Sequence, residues 1–513
     1  MRPKPVNMAF AMEPALKNLR DNFYLHFAAL IAAVFVLCGK SVPSSNEYSY
    51  LLRLVKTYHP QFLLNDITFS TPANEHWLFN HLFGVLTFAF PIEMIGWIGR
   101  LSCWAILIYA LMRLGRYWKI PLWMISGAIF LWLCAGQSIV ADEWMIGGFE
   151  AKCVAYCCLL FALDGFCKGR EIVPSILLGL TFSFHPAVGL WGIPAAIIAL
   201  AVFRWEFTRI IKITVIAGVF SLFGIVPLFF TELAGSVSTA EDWKYMVLVG
   251  YPFHLDALSW AKSSIILLFF LIAFCALFMF QKRAGKSERT LIFFISFLAV
   301  LFIFFCGGLV LTAFGKYELL RYMPMRLFPL FAPLFFLFTL AKAYQQKTFS
   351  PPANILTIVG LFALLAWTNP FAGAFSQIRE NIDSRRPVND GAAECFVWIR
   401  ENTENGTVAI APPWRNDFWY LSNRAEVINL AYAPVSNIGA WRERLDRLAG
   451  SHPFEKGLRE KEEMRKFYLD LSETEVINIS KDYGARILVS ETEYPFPKLF
   501  QNGKYKVYRV ASE

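Results

Sequence analysis

Ionisable side chains are sparse in this chain, and those that could do chemistry gather where long apolar runs end. Ser44-Ser45-Asn46-Glu47-Tyr48-Ser49-Tyr50 follows the first run and opens a polar stretch, 39–91, that also holds Asp66. Asp142 and Glu143 stand together in the short connection 140–149, and His254 and Asp256 in the connection 231–262. Lys316, Glu318 and Arg321 form a fourth group, while Glu150, Lys152, His185 and Arg326 fall inside or at the ends of apolar runs. Carboxylates and histidines at one surface suit a general base or a divalent cation, and nearby cations suit a phosphate or pyrophosphate leaving group. Polar groups at membrane depth are costly to bury, which makes each of these a functional candidate. Against that, a single loop charge is more often solvated or paired, so the argument rests on four groups sharing one side.

The elements that must position these residues are set by composition. Of 513 residues, 56% are hydrophobic and 17% aromatic. Mean hydropathy is +0.46. Several apolar runs are long enough to cross a hydrocarbon core of ~30 Å. The net charge of +9 comes from Lys and Arg in short connections. That pattern reads as a topology signal and excludes a nucleic-acid footprint. Nine of the ten cysteines lie in apolar segments and only Cys395 does not, so no disulfide framework is expected.

A basic tail, 1–22, precedes the run 23–38 without a convincing cleavage site, which predicts an uncleaved first helix and a cytoplasmic N-terminus. Further spans are expected at 92–112, 121–138, 150–167, 213–230, 264–280, 291–314, 322–340 and 353–368. The run 172–203 is too long for one helix and breaks at His185-Pro186, because proline removes a donor and clashes with the preceding turn. Every second connection carries Lys or Arg, so about eleven spans obey the positive-inside rule and leave the C-terminal region outside. The segment 76–90 is apolar and aromatic but short, and is expected to lie partly in the interface.

From about Gln377 the composition becomes that of a water-soluble domain, 377–513. Helical spacing at 390–402, 441–448, 461–471 and 473–483 alternates with strand-like stretches at 407–411, 426–430, 486–490 and 505–510, the last patterned as an edge strand. The expected fold is therefore a polytopic α-helical membrane protein, with a membrane region 23–370 and a C-terminal extracytoplasmic α/β domain. No phosphate-cradling glycine loop or nucleophile elbow occurs in that domain.

Many spans, a carboxylate in a long first outside loop, an acidic pair in the next and an α/β domain at the C-terminus resemble the C-type membrane glycosyltransferases, which include oligosaccharyltransferases, protein O-mannosyltransferases and aminoarabinose transferases. Asn46-Glu47 sits where those enzymes place an Asp or an Asp-Glu pair, and Asp142-Glu143 where some place a second acidic motif. Gly148-Phe149-Glu150-Ala151-Lys152, Phe184-His185-Pro186-Ala187-Val188-Gly189 and Trp398-Ile399-Arg400-Glu401-Asn402-Thr403 look like stretches of bacterial proteins of this broad group. Asn46 departs from the usual Asp, and no Trp-Trp-Asp-type acceptor motif is present.

The resemblance implies a polyprenyl-phosphate-linked sugar as donor, a bilayer as surroundings and transfer outside the cytoplasm. In that reading Glu47 is the catalytic base, and Asp142 and Glu143 hold a divalent cation, Mg2+ or Mn2+. Asp66, Lys152, His185, His254, Asp256, Arg321 and Arg326 bind substrate. Glu47→Gln is then expected to abolish transfer while leaving folding intact. Two other classes stay open: a non-catalytic binder of lipid-linked glycans, and a transporter or flippase, which would place charges at the bilayer midplane in pseudo-symmetric halves.

Overall fold

The computed structural model describes residues 21–71, 74–203, 205–233, 238–281, 289–346, 369–386, 390–450 and 461–510. Ten of the eleven expected crossing segments are helices: Phe23–Cys38, Ile92–Gly115, Leu122–Cys134, Ala151–Cys167, Ile172–Phe184, Pro186–Val202, Phe207–Leu233, Lys262–Gln281, Arg289–Ala313 and Phe328–Gln346. The eleventh, 353–368, lies outside the described residues, as do the tail 1–20 and the basic connection 282–288. By length and composition alone, four helical stretches can cross a membrane: Ile92–Trp118, Phe207–Thr231, Arg289–Ala313 and Phe328–Gln345. Five more apolar helices are shorter. Val215, Val219, Phe229 and Phe230 on one of these helices, and Ile303 and Val310 on another, face outward. In water such a belt would be a liability; against acyl chains it costs nothing.

The break at His185-Pro186 falls where expected. Pro186 takes the first position of its helix, where a missing N–H is harmless, and His185 Nδ1 accepts from Val188 N at 3.4 Å. The tenth segment differs from expectation. It begins at Phe328, not at 322, because Met323 has a left-handed φ of 52° and Pro324 follows it. Arg326 therefore sits in a turn ahead of the helix and not within it.

The stretch 39–91 is a folded cap. It contains helices Glu47–Tyr58, Ile67–Ser70 and Trp77–Gly84. Arg53 donates to the carbonyls of Thr68 at 2.7 Å and Phe69 at 3.2 Å, which folds the stretch back on itself. Leu82, Val85 and Phe88 remain exposed, as an interfacial segment would leave them.

The C-terminal region carries a five-stranded mixed sheet: β1 (Val408–Ile410), β2 (Ala425–Glu426), β3 (Ala485–Ser490), β4 (Lys498–Asn502) and β5 (Tyr505–Arg509), in the order β2-β1-β3-β5-β4. β1 pairs in parallel with β2 and β3, while β5 runs antiparallel to β3 and β4. The expected edge strand 505–510 is thus an interior one, and the edge is the polar β4. Helices Ala392–Asn402, Ile438–Leu448 and Glu473–Tyr483 cover the sheet, the last opened by a Ser472/Glu475 capping box and closed by left-handed Gly484.

This region is tied to the membrane part by polar contacts. Helix Pro370–Ser384 supplies Gln377 Nε2 to Leu133 O (3.3 Å) and Asn381 Nδ2 to Phe35 O (3.1 Å) and Val36 O (2.8 Å). Those carbonyls lie in the last turns of two apolar helices, where Phe35 O and Leu133 O also accept from Gly39 N and Gly136 N. Further on, Tyr432 OH donates to Ser45 O at 2.6 Å and Tyr251 OH to Ala431 O at 2.7 Å.

Candidate functional site

Beneath the C-terminal sheet, the connection 135–150 folds inward and buries Glu143 at 2% exposure. Gln137 braces it: its side chain donates to Ile146 O at 2.8 Å and accepts from Met145 N and Ile146 N at 2.9 Å. Glu143 meets two cations from different elements, Arg326 from the turn before helix Phe328–Gln346 and Lys152 from the start of helix Ala151–Cys167. Arg326 Nε lies 2.7 Å from Glu143 Oε2, and Lys152 Nζ lies 3.4 Å from Glu143 Oε1 and 3.4 Å from Glu150 Oε2. The Lys152 ammonium also sits 3.3 Å from the Trp144 ring centroid. Burial alone would raise the Glu143 carboxyl, but Arg326 and then Lys152 reverse it and hold it below the ordinary range. His254, pushed down by burial, stays neutral and donates Nδ1–H to Ala141 O at 2.5 Å.

The cluster is incompletely satisfied. Arg326 Nε, Glu143 Oε1 and the hydroxyl of the fully buried Tyr156 have no hydrogen-bond partner. The Arg326–Glu143 contact is ionic in distance, yet its N–H does not line up with the oxygen. Beside it, Tyr50 OH donates to His76 Nε2 at 3.1 Å, and the His76 and His185 rings lie 4.9 Å apart. Asn46 Nδ2 reaches Glu150 Oε2 at 3.4 Å.

Glu47, eight residues from the cap's start, is placed differently. It is fully buried and opens helix Glu47–Tyr58. Oε1 accepts from Arg100 Nε at 2.7 Å and Phe149 N at 2.6 Å; Oε2 accepts from Arg100 Nη2 and from Ser44 N at 3.0 Å. Arg100 is spent as well, on Lys40 O at 2.5 Å and Ser44 Oγ at 2.8 Å. A Cβ on Gly148 would fall 2.8 Å from Glu47 Cγ, so only glycine lets the second loop close over the carboxylate. In this arrangement the expected role of Glu47 as a base finds no support, because both carboxylate oxygens already accept two hydrogen bonds each and the side chain is fully buried.

Three other expected site residues are also structural. Asp66 Oδ1 caps helix Ile67–Ser70 by accepting from Thr68 N and Phe69 N, and its Oδ2 accepts from Trp419 Nε1 at 2.7 Å and Glu426 N at 3.1 Å across the interface with the C-terminal region. Asp256 Oδ1 accepts from Leu258 N at 2.9 Å, a cap of the short turn Ala257–Ser259. Arg321 Nη2 donates to its neighbour Tyr322 OH at 2.6 Å and does not join the cluster.

The expected metal pair does not fit a cation. Glu143 is claimed by Arg326 and Lys152, whereas Asp142 is exposed and turned away from it. Among the described residues no group of three or more His, Cys, Asp and Glu is arranged to hold a metal ion. Asp142 instead lines a cleft of about 530 Å³ between 135–142 and 252–264, walled by Phe253 and Trp260.

The structure thus brings together Glu143, Lys152 and Arg326, with His254 and His185 at the margins, and leaves Glu47, Asp66, Asp256 and Arg321 to structural work. Tyr156 was not expected. Its signal was present, since it follows Lys152 by four residues and so shares a helix face with it.

A family described as a domain of unknown function (DUF6798) matches residues 392–448, the stretch that supplies Trp419 and Glu426 to Asp66. No curated protein matches the chain. Among solved structures, the archaeal oligosaccharyltransferase AglB from Archaeoglobus fulgidus, in complex with an inhibitory peptide and a dolichol-phosphate, aligns with a TM-score of 0.50 and 12% identity, over 91% of this chain and 69% of its own. The oligosaccharyltransferase of Archaeoglobus fulgidus tethered to an acceptor peptide containing the NVT sequon aligns at 0.50 and 13%, over 92% and 70%. The chain shares the fold of these two oligosaccharyltransferases. It is a multi-pass membrane protein, with the sheet domain stacked on one end of the bundle. The arabinofuranosyltransferase AftD from Mycobacteria aligns at a TM-score of 0.47 with 13% identity, over 96% of this chain and 41% of that one.

Proposed function

We propose that this protein is a glycosyltransferase-like enzyme that takes a sugar from a polyprenyl-phosphate donor and acts on the non-cytoplasmic side, where positive-inside charge places the sheet domain. The observation that carries the reading is the unsatisfied cluster. Arg326 Nε lies 2.7 Å from Glu143 Oε2 without lining up with it, and the buried Tyr156 hydroxyl has no aligned acceptor. A phosphate offers only acceptors, and it binds arginine with charge-assisted bonds. As the sugar–phosphate bond breaks, negative charge grows on the departing oxygen, and fixed donors in a dry site stabilise that charge more than they stabilise the ground state. That a solved neighbour of this fold is in complex with a dolichol-phosphate supports the reading.

The test is binding of radiolabelled decaprenyl phosphate to the full chain in nanodiscs. Saturable binding is expected, weakened about tenfold in Arg326→Gln, the order of a charge-assisted bond of ~1.5–3 kcal/mol partly replaced by an amide. Absence of saturable binding, or equal affinity in Arg326→Gln with an unchanged melting temperature, overturns the reading. A second reading has support in one observation, that Glu143 is held by two cations and offers no free base within the cluster. A lipid-linked-glycan binder would then hold the phosphate without releasing the sugar.

A further inference from the structure

Helix Pro370–Ser384 leads from the membrane part into the sheet domain and is held along one side. Gln377 and Asn381 bond carbonyls in the last turns of helices Leu122–Cys134 and Phe23–Cys38. Ser384 Oγ accepts from Ser41 N at 3.0 Å, and Arg385 donates to Gly39 O at 2.6 Å. The other side is bare. Phe371 is 72% exposed, Phe375 73% and Ile382 51%. Their spacing puts Phe371, Phe375, Arg379 and Ile382 within an arc of about 80°. Arg379 is 87% exposed, and Arg386 carries the stripe beyond the helix end. A stripe that is aromatic at one end and cationic at the other matches the polarity gradient of a membrane–water boundary.

We propose that this stripe binds an anionic phospholipid of the leaflet beside the sheet domain, with Phe371, Phe375 and Ile382 against acyl chains and glycerol, and Arg379 and Arg386 on the headgroup phosphate. Two observations name that occupant. The first is continuity with the acyl-facing belt. Phe35 and Val36, exposed at the end of helix Phe23–Cys38, adjoin this helix: Asn381 bonds both their carbonyls, and the Arg385 guanidinium lies 5.0 Å from the Phe35 ring centroid. The second is charge. Around this helix Lys40, Arg379, Arg385 and Arg386 outnumber Glu380 and Asp383. Lys40 pairs with Glu380 at 2.6 Å, whereas Asp383 is shared between Arg379 at 3.6 Å and Arg386 at 3.1 Å. One carboxylate between two guanidiniums leaves a positive charge over, and exposed pairs of this kind are weak enough to yield to a phosphate. Arginine binds a phosphate through paired, charge-assisted bonds. The excess charge favours a headgroup of net negative charge over a zwitterionic one. A second copy of the chain fits poorly, because the stripe is one side chain wide and part of it is charged, too little apolar surface for a stable dimer. The segment leads on to helix Ala392–Asn402, so a lipid held here fixes the sheet domain against the bilayer plane.

Photocrosslinking tests this. The full chain, with p-benzoylphenylalanine in place of Phe375, is irradiated in nanodiscs of equimolar phosphatidylcholine and phosphatidylglycerol, and its adducts are weighed by mass spectrometry. Lipid adducts are expected, with phosphatidylglycerol favoured at least fivefold, the scale of one cation at an anionic surface. In Arg379→Gln/Arg386→Gln the ratio should fall to about one while lipid adducts persist. The same probe in place of Phe223, an exposed residue on helix Phe207–Leu233, should label both lipids equally in either background and shows that the double variant is folded and inserted. Excess inorganic phosphate should leave the ratio at position 375 unchanged. Adducts at 375 to this chain or to a second copy overturn the proposal, because the stripe is then covered by protein. Equal labelling of the two lipids, a preference that survives the double variant, or a preference abolished by inorganic phosphate overturns it as well.

Discussion

Glu47 and Glu143 are both buried acids that meet an arginine under the same sheet domain, and they differ in what is left over. Around Glu47 each oxygen has two donors, and Arg100 also donates to Lys40 O, Ser41 O and Ser44 Oγ. Around Glu143 the Arg326 Nε, the Oε1 oxygen and the Tyr156 hydroxyl are buried without an aligned hydrogen bond, although Arg326 and Lys152 are within ion-pair distance of the carboxylate. Desolvating a polar atom without replacing its hydrogen bond costs ~1–3 kcal/mol, and folded proteins tolerate few such atoms. A saturated ion pair holds structure. An unsaturated one, between three separate elements, keeps its bonding capacity for something that arrives later.

The largest test of that contrast is Glu47→Gln. It leaves Arg100 buried without its counter-charge, and breaking such a pair costs ~3–5 kcal/mol. The variant is expected to melt well below the wild type and to lose protein yield, and any loss of lipid-phosphate binding should scale with the misfolded fraction. A variant that melts like the wild type while losing binding would return Glu47 to the chemistry and erase the distinction. Glu143→Gln also strands cations and should lower stability in the absence of ligand, but bound phosphate should restore much of it by pairing with Arg326 and Lys152.

A sequence reader could see the acids but not their saturation. The His185-Pro186 break was legible because it rests on a local residue type, a proline with no N–H. The α/β character of the C-terminal region was legible from periodicity, although β4, Lys498-Leu499-Phe500-Gln501-Asn502, hid because a polar edge strand carries no alternating apolar face. Glu47 misled because its partner is 53 residues away on another helix, and Arg100 in the sequence is one charge within an apolar run. The same distance hid Asp66, whose Trp419 lies 353 residues on. Arg326 was visible as a charge near an apolar run, but its place in a turn, not in a helix, depended on Met323 taking a left-handed conformation.

Asp66 gives a test of intermediate size, on the interface that roofs both carboxylates. Burial pushes its carboxyl up to about 6 in spite of four donated N–H bonds. A folded value above the unfolded one means the folded state binds more protons between the two. The contribution to docking is therefore full below about 4 and is lost as pH rises through about 6. Glu426 beside it is raised well above its ordinary range by burial and by Asp66, which extends the same slope upward. Asp66→Asn keeps one acceptor and strands either the Thr68 and Phe69 amides or the Trp419 and Glu426 donors. It should destabilise by ~1–3 kcal/mol at pH 4 and by less at pH 7, where the buried charge it removes was itself unfavourable. Melting curves of the two proteins that stay parallel from pH 4 to 7 would show that Asp66 does not titrate in this window.

The smallest effect is expected at Tyr156, and it is the most discriminating. Its hydroxyl has no hydrogen-bond partner, so Tyr156→Phe removes an unsatisfied donor and keeps the ring. The stability change should lie within about 1 kcal/mol and can be favourable, since the desolvated hydroxyl gains nothing from its present surroundings. The same change should weaken decaprenyl phosphate severalfold if that hydroxyl donates to the phosphate, the scale of one neutral hydrogen bond at ~0.5–1.5 kcal/mol. The analogous deletion on the other side is Ser44→Ala, which removes a hydroxyl that accepts from Arg100 Nη2 at 2.8 Å and should lower stability without touching affinity. Stability and binding would then move independently, one at each carboxylate. If Tyr156→Phe instead lowers stability and leaves affinity unchanged, its hydroxyl is bonded within the fold, and Glu143 becomes a second structural ion pair like Glu47.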